Sequence, residues 1–341
     1  MALTRRAWIA GAAGAVASSI LLPRFANAAE FTYKFANNLP LNHPVNIRAK
    51  QAADKIREET GGRVDIKIFA NSALGTDPDV LSQVRTGGVE FFLMGGLLLA
   101  SLVPIANIDG IPYAFPDYPA VWRAVDGKLG QTVRSEIAKF NLIAMERQWD
   151  NGFHQITTRS KPIHTPDDMP GLKIRTGPSA LQVQMCTALG ASPTSLSFNE
   201  LYTALQTGLV DGQLNALVLI KAAKLYEVQS YCALTNHMWS GFWFLANKAA
   251  WERLPENLRN VIATHINAAA VQQREDVALS NKTLQQDLAA LGLKFTSPDP
   301  APFRARLAKA GFYRAWKDKL GAPAWSVLES YAGKLGPVHT I

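Results

Sequence analysis

Gly171-Leu172-Lys173-Ile174-Arg175, Ser179 to Leu189, Phe198-Asn199-Glu200-Leu201-Tyr202-Thr203-Ala204-Leu205-Gln206-Thr207-Gly208 and Asp211-Gly212-Gln213-Leu214-Asn215 follow one another within 45 residues. The first reads as a short strand ending in an arginine, the next two as helices stopped by Gly190 and Gly208, and the last as an Asp-Gly turn that aims an asparagine inward. Strand–helix alternation of this kind belongs to a mostly parallel sheet covered by helices. An arginine at the carboxyl end of such a strand reaches the crevice where α/β sheets bind ligands, and its planar fork holds a carboxylate through two charge-assisted bonds. No acid, base or nucleophile of an enzyme stands between Arg175 and Asn215, so the stretch suits binding without reaction.

Outward from this stretch the alternation continues. Phe31 to Phe35 and Val64 to Phe69 read as strands, and Val45, Ala49, Ala52, Ala53 and Ile56 mark one helix face. Pro78 opens a second helix that Gly87-Gly88 ends, and Val89 to Met94 is apolar throughout, as in a strand covered on both sides. After residue 150 the pattern returns: Phe153 to Thr157, Cys232 to Asn236 and Phe242 to Asn247 read as strands, Leu217 to Leu225 as a helix. Two such runs predict two α/β lobes. From Glu256 to Leu291 no Gly or Pro occurs, which predicts either one helix of roughly 54 Å crossing between the lobes or two helices with a kink near Asp276 or Ser280. The tail is expected to pack back on a lobe. The predicted division is residues 1–28 as a leader, 29–151 with 241–280 as one lobe, and 152–240 with 281–341 as the other.

The leader reading rests on Thr4-Arg5-Arg6-Ala7-Trp8-Ile9, a twin-arginine region, followed by an apolar run from Ala10 to Leu22 and by Ala26-Asn27-Ala28 as a cleavage site. The run falls short of the roughly 20 residues that span a bilayer. Export and cleavage after Ala28 are therefore expected, with a periplasmic mature chain. The net charge of +8 falls to +5 without Arg5, Arg6 and Arg24. Lys and Arg are interspersed with Asp and Glu, which fits attraction of small anions and not a nucleic-acid stripe. Cys186 sits in a helical pattern and Cys232 in a strand-like one, so two buried, unbridged thiols are expected.

Catalytic and metal motifs are missing from the pattern. The six histidines never fall three or four apart, and no Cys-x-x-Cys, phosphate loop, Gly-x-Gly-x-x-Gly or nucleophile elbow occurs. No metal, no cofactor and no enzyme activity are therefore expected. Binding candidates remain. Trp149 and Trp239 lie near the expected lobe crossings, where a pocket would open. Gly95, with Gly96, follows the apolar strand and lets a ligand approach the backbone.

Pro166-Asp167-Asp168-Met169-Pro170-Gly171-Leu172-Lys173-Ile174-Arg175, Leu189-Gly190-Ala191-Ser192-Pro193, Glu200 through Asn215, Thr235-Asn236-His237, and Trp251 to Leu254 before Pro255 together carry a resemblance that covers nearly all of the mature chain. The sequence resembles the DctP-family solute receptors of tripartite ATP-independent periplasmic (TRAP) transporters. The resemblance implies a two-lobed periplasmic-binding-protein fold with a long helix shared by both lobes, closing on an organic acid that it delivers to membrane permease subunits, as a monomer without stable membrane insertion. It also implies that Arg175 clamps the ligand carboxylate, that Asn215 touches the ligand, that Phe198 lines the pocket and that Asn38 (or Asn37) contributes. One departure stands out. Where many relatives carry a second arginine, this chain has Asn151-Gly152-Phe153-His154. An imidazole cannot make a bidentate grip; if it is charged, affinity should weaken as pH rises from 6 to 8. Met94-Gly95-Gly96-Leu97 stands where the resemblance implies that sialate-binding relatives place polar contacts, which argues against a sugar acid. The expected ligand is a monocarboxylate with an apolar or aromatic body, with a C4-dicarboxylate as the alternative.

Overall fold

Two long strands hold the molecule together: Trp149–Thr158 and Trp239–Asn247, each buried along nearly its whole length. The computed structural model describes residues 28–336; the expected leader, residues 1–28, lies outside the described residues except for Ala28, as do 337–341. In chain order the strands are β1 Phe31–Ala36, β2 Val64–Phe69, β3 Phe91–Gly95, β4 Leu142–Ala144, β5 Trp149–Thr158, β6 Lys173–Thr176, β7 Ser192–Ser195, β8 Gly212–Ala216, β9 Tyr231–Ala233, β10 Trp239–Asn247 and β11 Lys294–Thr296. The main sheet order is β2-β1-β3-β10-β5-β8-β6-β7.

Its two ends are parallel, β1 with β2 and β3 on one side and β6 with β7 and β8 on the other, while β10 and β5 join them antiparallel. The fold is thus α/β and two-lobed, as expected, with β5 and β10 crossing between the lobes. Sequence pattern starts these two strands about four residues late. Asp150, Asn151 and Gly152 are poor strand formers, yet the main chain of Asp150 is held from outside: its N–H donates to Gln273 Oε1 at 2.8 Å and its carbonyl accepts from Gln273 Nε2 at 2.9 Å. Two glycines make the crossing possible. Gly152 has φ +114° and a Cβ there would stand 2.9 Å from the Ala216 Cβ; at Gly241, beside a register shift, it would meet the Trp239 ring at 2.3 Å.

The long helix is shorter than its uninterrupted sequence allows. It runs Glu256–Ser280, about 38 Å at the usual rise. A turn over Asn281–Thr283 then starts a separate helix, Leu284–Ala290, so the break falls at Ser280, one of the two positions left open. The reason is tertiary: Leu258, Ile262, Ile266, Ala269 and Ala270 pack with the Pro44–Glu59 helix, whereas Leu288 belongs to a different core with Leu201, Leu205 and Leu225. Near its end the long helix buries Arg274, whose Nε donates to the Gln148 carbonyl and whose fork holds both Asp126 oxygens at 2.8 and 2.9 Å. The helices Pro300–Lys309, Phe312–Leu320 and Ala322–Ala332 add Phe303, Trp316 and Trp325 to the largest core. Cys186 and Cys232 are buried and unbridged.

Candidate functional site

Arg175 stands third in the four-residue strand β6, and the strand is locked in place by Asp211, which is distant in sequence. The Asp211 carboxylate accepts from the Lys173 N–H at 2.8 Å, and its own N–H donates to the Lys173 carbonyl at 2.8 Å. Asp-Gly is therefore not a hairpin turn but the entry of β8. At Gly212 any Cβ would lie 2.2 Å from the Thr157 carbonyl, so only glycine lets β8 pair on β5 here. This docking brings Arg175 and Asn215 to one small cavity of about 60 Å³.

Six residues expected from sequence line that cavity: Asn38, Gly95, His154, Arg175, Phe198 and Asn215. The Arg175 guanidinium is 5% exposed, with Nε and Nη2 donating to the Leu196 carbonyl at 3.0 and 2.7 Å. Among the described residues Nη1 donates to none. Burial pulls the Arg175 pKa down to about 10, with Asp77 and Glu200 acting the other way, so it remains charged at neutral pH. The Phe198 ring lies 6.0 Å from the guanidinium carbon, in a turn capped by Ser197, whose N–H donates to Glu200. Asn215 donates through Nδ2 to Gln213 Oε1 at 2.5 Å, and Gln213 is itself tied to Thr157.

His154 is 3% exposed, its Nε2 lying 2.9 Å from Ser240 Oγ and 3.2 Å from Asn151 Nδ2. Burial, and secondarily the charge of Arg175, pushes its pKa down to about 3. Of the two states left open for His154, charged or neutral, this burial favours the neutral imidazole. His237, whose ring is 6.2 Å from that of His154, is also held well below its ordinary value by burial.

Trp149 and Trp239 are not in the lining. Side chains alternate along a strand, and on β10 it is Ser240 and Phe242 that line the cavity. Trp239 points elsewhere, donating from Nε1 to Asp150 Oδ1 at 2.9 Å and meeting Trp122 edge-on at 5.4 Å between centroids. Trp149 is fully buried in the core with Phe242 and Phe244. Sequence reading missed Ser240 and Asn151, which line the cavity, and Asp77, which hydrogen-bonds Asn38. Asp77 is 5% exposed, accepts from Asn38 Nδ2 at 2.8 Å, and is raised to about 6 by burial against the pull of Asn38 and Arg175. Among the described residues no three His, Cys, Asp or Glu side chains stand together as metal ligands, and no helix is long and apolar enough to cross a membrane.

The profile of the bacterial extracellular solute-binding proteins, family 7 (DctP), matches residues 35–313. The chain belongs to this family. Its members are solute-binding proteins and not enzymes. Among DctP-family relatives, the C4-dicarboxylate-binding periplasmic protein of Rhodobacter capsulatus is 32% identical over 293 residues, covering 80% of this chain and 86% of that one. A TRAP periplasmic solute-binding protein of a Polaromonas species, solved bound to D-erythronate, is 27% identical with a TM-score of 0.84, covering 89% of this chain and 100% of that one. Another from Desulfovibrio salexigens, with bound orotic acid, is 27% identical with a TM-score of 0.82, covering 88% and 97%.

Proposed function

We propose that this DctP-family protein is an exported TRAP receptor that captures a small monocarboxylate and passes it to a membrane permease. The observation that carries the reading is the pairing of one buried, charged guanidinium, its Nη1 edge open, with a neutral histidine where a second cation would be needed. One bidentate grip holds one carboxylate. Phe198, Leu98, Leu214, Leu219 and Phe242 suit an apolar body. The D-erythronate and orotic acid bound by two relatives each carry a single carboxylate. The second reading, a C4-dicarboxylate receptor, rests on the relative from Rhodobacter capsulatus.

In this proposal the lobes are residues 29–151 with 241–280 and residues 152–240 with 281–341, closing on the ligand about β5 and β10. The chain works as a monomer in the periplasm after twin-arginine export, and Asn38, Gly95, His154, Phe198 and Asn215 contact the ligand beside Arg175. Titration calorimetry with short monocarboxylates against wild type and Arg175→Ala tests it. Affinity should fall by about 2–5 kcal/mol, the usual cost of truncating one partner of a buried charge pair. Retention of affinity within tenfold would sink the clamp.

A further inference from the structure

The three asparagines of the cavity, Asn38, Asn151 and Asn215, have their amino ends engaged by the protein, Asn151 by Ser240. Asn38 Nδ2 donates to Asp77 Oδ2 at 2.8 Å, and Asn215 Nδ2 donates to Gln213 Oε1 at 2.5 Å. Among the described residues neither Oδ1 accepts a hydrogen bond. Asn215 is 5% exposed and Asn38 half-buried, and the Oδ1 of the third asparagine, Asn151, is buried without a hydrogen-bond partner among the described residues. Carbonyl oxygens sequestered in a cavity without a protein donor favour a ligand that brings donors.

We propose that the ligand is a hydroxy-monocarboxylate, its carboxylate on Arg175 and its hydroxyl donating to the Asn38 and Asn215 carbonyl oxygens, with Asp77 the positioning residue that fixes the polarity of Asn38. This rests on the monocarboxylate reading above and narrows it. An ionised carboxylate only accepts, so Asp77 admits one orientation of the Asn38 amide, amino end towards itself. Asp77 is free for this task because the helix Asp77–Thr86 is capped by another acid: Thr76 N and Oγ1 both donate to Asp79 Oδ2. Arg175 is the one cation that acts on Asp77, and the two form no ion pair within 4.0 Å among the described residues. The cavity therefore holds one cation, three asparagine carbonyl oxygens, the Ser240 hydroxyl and a neutral imidazole, with the buried acid Asp77 behind Asn38. A second carboxylate, or a keto oxygen set against the two carbonyls, meets acceptors and negative charge without a donor.

The test uses the full mature chain and a matched C4 set: butanoate, 2- and 3-hydroxybutanoate, 2-oxobutanoate and succinate, each by titration calorimetry. One of the hydroxy acids should bind about tenfold or more tighter than butanoate, 2-oxobutanoate and succinate, since a site built to bond a hydroxyl rejects analogues lacking it. Asp77→Asn lets the Asn38 amide turn over, and the preference for hydroxy over oxo acid should shrink at least threefold. Asn38→Ala should shrink the preference for hydroxy acid over butanoate, and carries the test if Asp77→Asn melts early. Butanoate or 2-oxobutanoate binding as tightly as both hydroxy acids would overturn the inference, and an unchanged ratio in Asp77→Asn would overturn the part given to Asp77. Arg175→Ala separates the two levels. If it keeps affinity the monocarboxylate reading itself fails; if it loses affinity while the ratios above fail, only the hydroxyl assignment falls. Wild type that binds none of the five at millimolar concentration overturns both.

Discussion

The two sides of the cavity offer a controlled contrast. On one, Arg175 is buried to 5% exposure; on the other, His154 is buried to 3%. Desolvation acts on both in the same direction, yet one keeps its charge and the other loses it. Arginine starts so far above neutrality that a fall to about 10 changes nothing at pH 7, whereas histidine starts close to neutrality and falls to about 3. Replacing a buried arginine by histidine thus removes the cation altogether, and the pocket keeps one charged side.

The contrast can be broken most severely at Arg175. Arg175→Ala should cost the 2–5 kcal/mol given above, and Arg175→Lys should recover little of it, because an ammonium cannot make two parallel bonds. Next in size is the reverse experiment, His154→Arg, which gives both sides a cation. The ligand-free variant should melt at a lower temperature than wild type, and succinate should gain about tenfold or more in affinity. If succinate binds no better, the neutral wall does not set the carboxylate count. Smaller still is Trp239→Phe, which removes the donor to Asp150 without touching the lining. Urea denaturation should register a loss of about 1–2 kcal/mol, while ligand affinity stays within threefold. The smallest effect belongs to pH. Because the folded-state pKa of His154 is near 3, the imidazole gains no proton between pH 8 and 6, so the affinity profiles of wild type and His154→Gln over that range should run parallel. A wild-type profile that alone steepens below pH 7 would mean that His154 does titrate in the folded protein.

Local pattern announced much of this and was silent where contacts from afar decide. Most strands of the parallel ends and the helices between them follow from alternation, glycine stops and caps, and Arg175 follows from its strand. The Asp211-Gly212 pair was visible, but its work of locking β6 and admitting β8 depends on Lys173 and Thr157, which no local rule connects to it. Trp149 and Trp239 were drawn to the pocket by their place near the expected lobe crossings, whereas strand alternation and the Asp150 partner turn them into the core. Ser240, Asn151 and Asp77 carried no distinctive signal: each matters only because a buried neighbour removes its alternatives. The helix break at Ser280 likewise reflects two separate cores, not a breaker residue.

One consequence of the crossing strands remains. β10 and β5 are hydrogen-bonded to each other and to both parallel ends, and the long helix grips Asp150 through both of its main-chain groups. The lobes are therefore not hung on loose tethers. Any swing of one against the other has to flex a continuous ribbon of β-structure, with Gly152 and the irregular step at Ser240 and Gly241 as its thinnest section. In the closure proposed above, such a joint would act as a leaf spring that resists opening. The same two strands carry His154 and Ser240, so the neutral wall would move with it.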